Sequence, residues 1–430
     1  MEPMQVNADL HIHGRYSISV SKNMTIRNLA RESKRKGIQL LGTGDCLHGG
    51  WWKEIHDLEK VDDGTFELEG TRFVLTTEVE DARRVHHIII FPSKDAAEGF
   101  KEKVKGSSKN LETSGRPNIA MSGEEIAQLA KDVDGLIGPS HAFTPWTSLY
   151  AYHDELMGSY GDMVDYVSFV ELGLSADTHL ADRIEELAKL TFLTNSDAHA
   201  PVPNRLAREF NRFEMDDTTF EGLRRAMLRM GGCRSVLNVG LPPQEGKYFE
   251  TACTRCYTHY QLNEALMKKW KCKCGGRIKK GVRDRIEELA DYSRPKHPDH
   301  RPPYVHIIPL AEIIAKALRV SSPSSKKVSR EWNKLIERFG DEVKVLIDAP
   351  IEEIRNIAPE AVTNAILMFR EGRVRVKPGG GGEYGKIILH GVDGDESEGS
   401  IEMGDIDSPP PSDGDTPQSK KAGQRSMLDY

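Results

Sequence analysis

Short apolar runs that end in histidine or a carboxylate recur through the first 240 residues of this 430-residue chain. Val6 to Ile12 reads as a strand carrying Asp9, His11 and His13. Residues two apart in a strand point to one face, so His11 and His13 can grip a single ion with Asp9 on the same side. The predicted strand Ile38–Thr43 leads to Asp45 and His48. Glu78 follows Phe73–Thr77, His86 and His87 open Ile88–Phe91, His141 follows Gly135–Pro139, and Asp197 and His199 follow Thr191–Asn195. A lone His-x-His would most simply be a solvated face, but one set of ligands per strand is a site. Helical periodicity fills the intervals: Thr25–Lys36, a helix to about Val133 opened by the capping-box spacing Ser122–Glu125, Leu180–Leu190, and Phe220–Met230. Alternating strands and helices argue for a parallel α/β layout, as a barrel or an open sheet. In barrel enzymes, residues from several strand ends converge on one site at the C-terminal rim. His and carboxylate ligands suit zinc, manganese or iron, and bridging carboxylates suit several metals close together.

Beyond a Pro-Pro linker (Leu241–Gly246) come Cys253-x2-Cys256 and Cys272-x-Cys274-Gly-Gly. Two thiol knuckles in a chain without an export signal read as a closed structural zinc site rather than as disulfides. Lys247–Lys296 holds thirteen Lys/Arg against six Asp/Glu, and the aromatics Tyr257, Tyr260 and Trp270 lie between the knuckles. Basic residues interleaved with aromatics suit phosphate contact and base stacking, although any one ring is more simply part of a small core. The net charge of −7 conceals this, because nine acids and no Lys or Arg lie between Gly391 and Ser419. After Pro302-Pro303 the pattern is helical over Leu310–Leu318, Arg330–Phe339, Ile351–Asn356 and Pro359–Glu371, and a glycine run follows at Gly379–Gly382. The acidic stretch is too poor in aliphatics to order itself. The expected organisation is a catalytic barrel (1–240), a four-Cys zinc module (247–297), a helical DNA-contacting region (298–392), an acidic disordered linker (393–423) and a terminal tail (424–430). No run is long enough to span a bilayer and Met1–Leu10 lacks a signal-peptide pattern, so no membrane partner and a cytoplasmic location are expected.

Asp9-Leu-His11-Ile-His13, Asp45 with His48, Glu78, Val85-His86, Pro139-Ser-His141 and Asp197-Ala-His199 together resemble the PHP (polymerase and histidinol phosphatase) superfamily. The resemblance spans about Met4–Asn238. It implies a distorted seven-stranded (β/α) barrel with a multinuclear divalent centre of zinc, manganese or magnesium. It also implies catalytic roles for His13, Glu78 and Asp197. Carried over, His11, His13, Glu78 and Asp197 hold one metal, His48 and His199 a second, and Glu78 bridges to a third shared with His86 and His141. Asp45 and His48 are separated by two residues where many members have them adjacent, so either is a candidate ligand. Only one of the neighbouring strand residues His86 and His87 can face the metals, and His86 is preferred because the family motif places an aliphatic run directly after its His, although His87 precedes such a run too. Cys46 reads as a packed residue rather than a nucleophile.

Over residues 4–392 the chain resembles the endonuclease Q family, which joins a PHP domain to a four-Cys module and a helical region. That resemblance implies a DNA repair endonuclease, acting on double- or single-stranded DNA 5′ of uracil, hypoxanthine, xanthine or an abasic site. A flipped-base pocket of backbone N–H groups would accept a carbonyl where the undamaged base carries an amino group. Gly49-Gly50-Trp51-Trp52 is a candidate wedge, with packing as the equal alternative. The competing functions are a phosphatase for a small phosphate ester and a non-catalytic, polymerase-associated module. Gln424, Met427 and Tyr430 resemble the box by which repair enzymes bind the sliding clamp, with Met427 and Tyr430 on one face of a helical turn.

Overall fold

The computed structural model describes residues 3–389 together with 401–402. β1 (Met4–Asp9) pairs in parallel with β2 (Leu40–Gly42), and β2 with β3 (Thr71–Glu80). β4 (His86–Phe91) and β5 (Leu136–Pro139) then continue the sheet antiparallel. A hydrogen bond from Ser168 N–H to the Ile137 carbonyl (2.9 Å) brings β6 (Phe169–Glu171) beside β5, and β6 runs parallel to β7 (Thr191–Leu193). Just past β7, Ala198 bridges back to Ile12 and accepts from His13 N–H at 3.0 Å. The seven strands therefore complete a circuit. Outside it, β8 (Phe210–Met215) pairs antiparallel with β1, β9 (Arg234–Gly240) with β8, and β10 (Tyr304–His306) runs parallel to β9.

The circuit is mixed, not parallel throughout as the strand–helix alternation suggests. Five residues, 81–85, separate β3 from β4. A parallel crossover needs a dozen or more, so the chain can only turn back. His86 consequently begins its strand instead of ending one. The expected helix Leu180–Leu190 is also absent: Thr178–Ala181 forms a single turn. Arg301 donates to the buried Asp182 carboxylate (2.8 Å) and to the carbonyls of Leu187 (3.3 Å) and Leu190 (2.7 Å). Those tertiary contacts hold the segment out of the regular helical ladder.

Local signals set the remaining elements well. α1 (Ile26–Lys36) starts where Thr25 Oγ1 accepts from Asn28 N–H and stops at Gly37, whose φ of 87° ordinary residues avoid. The Ser122–Glu125 capping box forms as expected. In the C-terminal region, α2 (Leu310–Ala317) packs against α3 (Lys326–Phe339) and α4 (Glu360–Arg370). α3 begins earlier than its periodicity indicates because Ser325 caps Val328 N–H. Lys36 pins this region to the N-terminal α/β region: its buried ammonium lies 2.5 Å from Glu342, whose second oxygen accepts from Trp332 Nε1.

The four-cysteine module is small. Ala252–Cys253 pairs with Ile278–Lys279, and its core is Cys253, Ala265, Cys272 and Ile278, covered by Tyr260 and Trp270. Within the acidic stretch, Ile401–Glu402 pairs with Arg375–Val376. The rest of that stretch and the tail with Gln424, Met427 and Tyr430 lie outside the described residues.

Candidate metal centre

Five segments at strand ends deliver seven of the expected ligands to one spot. His11, His13 and Glu78 bring ligand atoms within 4.8 Å of one another, as do His13, Asp197 and His199, and Glu78, His86 and His141. Glu78 is the hub. Its Oε1 lies 2.9 Å from His86 Nδ1 and 3.0 Å from His141 Nε2, and its Oε2 lies 3.4 Å from His13 Nε2. Asp197 Oδ1 lies 3.2 Å from His13 Nε2 and 3.5 Å from His199 Nδ1.

The outward nitrogens of the first motif are each fixed from behind. His11 Nδ1 meets Glu171 at 3.0 Å and His13 Nδ1 meets Asp45 at 3.0 Å. A proton on Nδ1 leaves the Nε2 lone pair free, the arrangement that orients histidine ligands. His11 Nε2, His13 Nε2 and Asp197 Oδ1 are buried without a hydrogen-bond partner. Burying such atoms unpaired is costly. Three converging lone-pair atoms beside a shared carboxylate are a donor set that fits divalent cations.

The electrostatics agree. Burial opposes charge on His11, but Glu171 and Glu78 outweigh it and hold its pKa well above the usual value. Burial likewise opposes charge on His13, and Asp45 and Asp197 raise it. Burial works against ionisation of Glu78, yet His86 and His11 hold its pKa well below the carboxylate range. The cluster concentrates carboxylate charge among the imidazoles, and divalent cations would balance it.

Two expected ligands do not join the cluster. The Asp45 carboxylate is taken up by His13 Nδ1, Gly14 N–H (2.7 Å) and Ser17 Oγ (2.8 Å), so it backs His13 and stays outside the cluster. His48 Nδ1 caps the following helix through Gly50 N–H (3.1 Å), and its ring stacks on Tyr16 at 4.4 Å. The Cys46-Leu47 spacer turns His48 into an N-cap, and His199 stands beside Asp197 without it. His87 points away, to Tyr160 Oη (2.8 Å) and Asp81 (3.3 Å). Cys46 is buried and packed. Trp51 is also buried, donating to the Thr43 and Gly44 carbonyls, so it packs beneath the rim and is no wedge.

Sequence reasoning missed Glu171, Glu80 and Arg116. Glu171 also accepts from Asn195 Nδ2 (2.9 Å) and His141 N–H (2.7 Å), tying three ligand segments together. It ends the observed strand β6, and a carboxylate closing an apolar run was the available signal. Glu80 meets His86 Nε2 at 3.0 Å. Arg116 Nη1 lies 3.2 Å from Glu78 Oε2, from a loop whose sequence carries no signal. Arg116 and His199 both line two cavities that meet at the cluster, one of about 710 Å³ and one of about 190 Å³. The larger is walled by Arg205, Arg208, Glu245, Lys247 and Glu312. Separately, Cys253 and Cys274 Sγ lie 3.6 Å apart, and Cys256 and Cys272 Sγ 3.5 Å apart, so all four thiols converge.

The strand circuit and the His–carboxylate cluster define an α/β protein with a site whose donor set suits divalent metals. A domain model, the MJ0043 C-terminal domain, matches residues 309–373. The crystal structure of the lesion-specific endonuclease PfuEndoQ from Pyrococcus furiosus superposes with a TM-score of 0.86 at 52% identity, covering 90% of this chain and 96% of that one. A complex of endonuclease Q with a 27-mer duplex carrying an abasic lesion at its active site gives the same TM-score and identity, over 90% and 97%. Uncharacterized protein YqxK of Bacillus subtilis is 32% identical across 89% of this chain and 99% of its own length. Uncharacterized protein MJ0043 of Methanocaldococcus jannaschii is 47% identical over 253 residues, which is 57% of this chain and 31% of that protein. The chain belongs to the endonuclease Q family.

Proposed function

We propose that this chain is a metal-dependent DNA repair endonuclease that hydrolyses the phosphodiester 5′ of deaminated bases and abasic sites. The observation that carries this reading is a cluster of unpartnered ligand atoms opening into a cavity walled by three parts of the chain: the catalytic domain, the linker and the helical region. A small-ester phosphatase would need only the first of these. The likeness to PfuEndoQ runs through all three.

His11, His13, Glu78 and Asp197, with His199, and Glu78 with His86 and His141, would hold the metals. Bound divalent ions supply hydroxide near neutral pH and neutralise phosphate charge. Asp45, Glu171 and Glu80 hold the ligand imidazoles in their tautomers. Arg116, at the junction of the two cavities, is placed to pair with a phosphate oxygen once Glu78 turns to the metals. Arg205, Arg208 and Lys247 extend positive charge along the larger cavity. Magnesium or manganese is proposed for this centre and zinc for the four cysteines. The thiols suit a reducing compartment, and a cytoplasmic location is proposed on that ground. Among the described residues no helix is long and apolar enough to cross a membrane.

The test is incubation of the purified protein with a uracil-containing duplex and, separately, with a small phosphate ester, each with magnesium or manganese. Incision 5′ of uracil is expected, and turnover of the small ester alone would remove the repair reading. The tail Gln424–Tyr430 is proposed to dock on the sliding clamp and raise the local enzyme concentration. Equal clamp capture by full-length protein and a 424–430 deletion would rule that out.

A further inference from the structure

The glycine run Gly379–Gly382 has no part in the chemistry above, yet the fold places it with care. Gly379 N–H donates to the Gln244 carbonyl (2.8 Å), Gly382 N–H to Lys247 (2.8 Å) and Gly385 N–H to Glu245 (3.0 Å). Gly380 bridges to Glu250. A Cβ on Gly381, whose φ is 65°, would lie 2.3 Å from the Cys253 carbonyl. Only glycine lets the chain pass this close to a thiol knuckle and along the linker. The result is that Tyr384 arrives at the mouth of the 710 Å³ cavity that the metal ligands line.

Tyr384 is not alone there. Tyr248 lines the same mouth, and Lys247 Nζ sits over both rings, 5.4 Å from Tyr248 and 5.9 Å from Tyr384. Trp146 stands between the cavity-lining residues Pro145 and Thr147, edge-on to Tyr248 at 6.2 Å. Its ring is backed by the buried Lys279 Nζ at 3.8 Å, a nitrogen with no hydrogen-bond partner. Yet Trp146 remains 36% exposed and Tyr384 51% exposed. Three rings from three segments meet beside a lysine, and two of them keep open surface. A purely structural cluster would close over those faces.

We propose that Trp146, Tyr248 and Tyr384, with Lys247, form a stacking platform at the cavity mouth that holds the base next to the lesion on the cut strand. This rests on the proposed function. The candidate metal ligands line the cavity, so a lesion nucleotide must leave the helix to reach them. Its neighbour then loses one stacking partner. An aromatic face replaces it without regard to sequence, and the ammonium meets the adjoining phosphate. The lesion base itself cannot be what the rings hold, because an abasic site has none.

The experiment uses the full-length, metal-loaded protein and a duplex with 2-aminopurine beside the lesion. With wild type the fluorophore stays quenched on binding. With the double variant Trp146→Leu and Tyr384→Leu, fluorescence rises and single-turnover incision of the duplex falls roughly tenfold, the order that base–aromatic stacking supplies. The ring-keeping variant, Trp146→Phe with Tyr384→Phe, restores both signals. Wild-type quenching and incision in the leucine variant would overturn the platform, as would a phenylalanine variant as impaired as the leucine one. A wild-type protein that quenches the fluorophore but never incises would sink the repair reading and leave the platform standing.

Discussion

The rim cluster gathers its candidate ligands from positions 11 to 199, three of their imidazoles held by a carboxylate behind them, whereas the four cysteines lie between 253 and 274 around a core of four residues. The difference is one of order of assembly. Glu171, Asp45 and Glu80 fix imidazoles before any ion arrives, so the fold makes the rim site. The cysteine module has too little apolar surface to shape its own site, so there the ion makes the fold. Stripping metal should therefore silence the first region and melt the second.

The sharpest way to break that contrast is Asp197→Ala. It removes an unpartnered ligand atom without touching the core, and incision should fall on the order of 10³-fold. Thermal melting and lesion-DNA binding should stay close to wild type. Near-normal turnover would mean that metals at this cluster do not do the chemistry.

Glu171→Gln comes next. It keeps the shape but leaves His11 without its anionic anchor, and metal affinity or incision should fall between roughly ten- and a hundredfold. Metal titration followed by calorimetry checks this. An unchanged affinity would show that Glu171 only packs.

Cys253→Ser probes the other region. Bound zinc should drop by one equivalent and proteolysis should open within 247–297, while DNA affinity weakens several-fold through the loss of ordered basic side chains. Rim metal content should not change. Equal zinc in both proteins would mean the four thiols bind no ion.

The smallest effect is in pH. Despite burial, Glu171 and Glu78 hold His11 well above its usual pKa, and Asp45 and Asp197 hold His13 there. A group whose pKa rises on folding stabilises fully below its unfolded value and loses that contribution as pH climbs through the folded one. Burial pushes Glu209 up to about 8, which acts in the same sense. Chelator-treated protein should melt at progressively lower temperature as pH rises from about 6.5, the unfolded histidine value. Added metal should flatten that slope, and a melting temperature that climbs with pH would contradict the geometry.

How much of this was legible depends on whether a residue acts through its type or through its neighbours. Seven members of the cluster could be read because histidine and carboxylate at successive strand ends have few other uses. Asp45 and His48 carry the same letters, and only the fold shows that one props His13 and the other caps a helix. Strand alternation told only that one of His86 and His87 faces the cluster, and the aliphatic run of the resembled motif chose His86. Arg116 had no legible signal, since a lone arginine in a loop is ordinary until two cavities meet at it. The misplaced helix at 180–190 fails for a related reason: its partner, Arg301, lies more than a hundred residues away.

Asp45, His141 and Asp197 share a backbone feature, with φ of 47°, 28° and 46°. Left-handed backbone at a non-glycine residue costs of order 1 kcal/mol or more. At each of these positions glycine would relax the chain while deleting a ligand or a ligand's anchor. A laboratory selection that rewards heat resistance alone would therefore drift toward a sturdier, dead protein, and these three rim positions are where it would start.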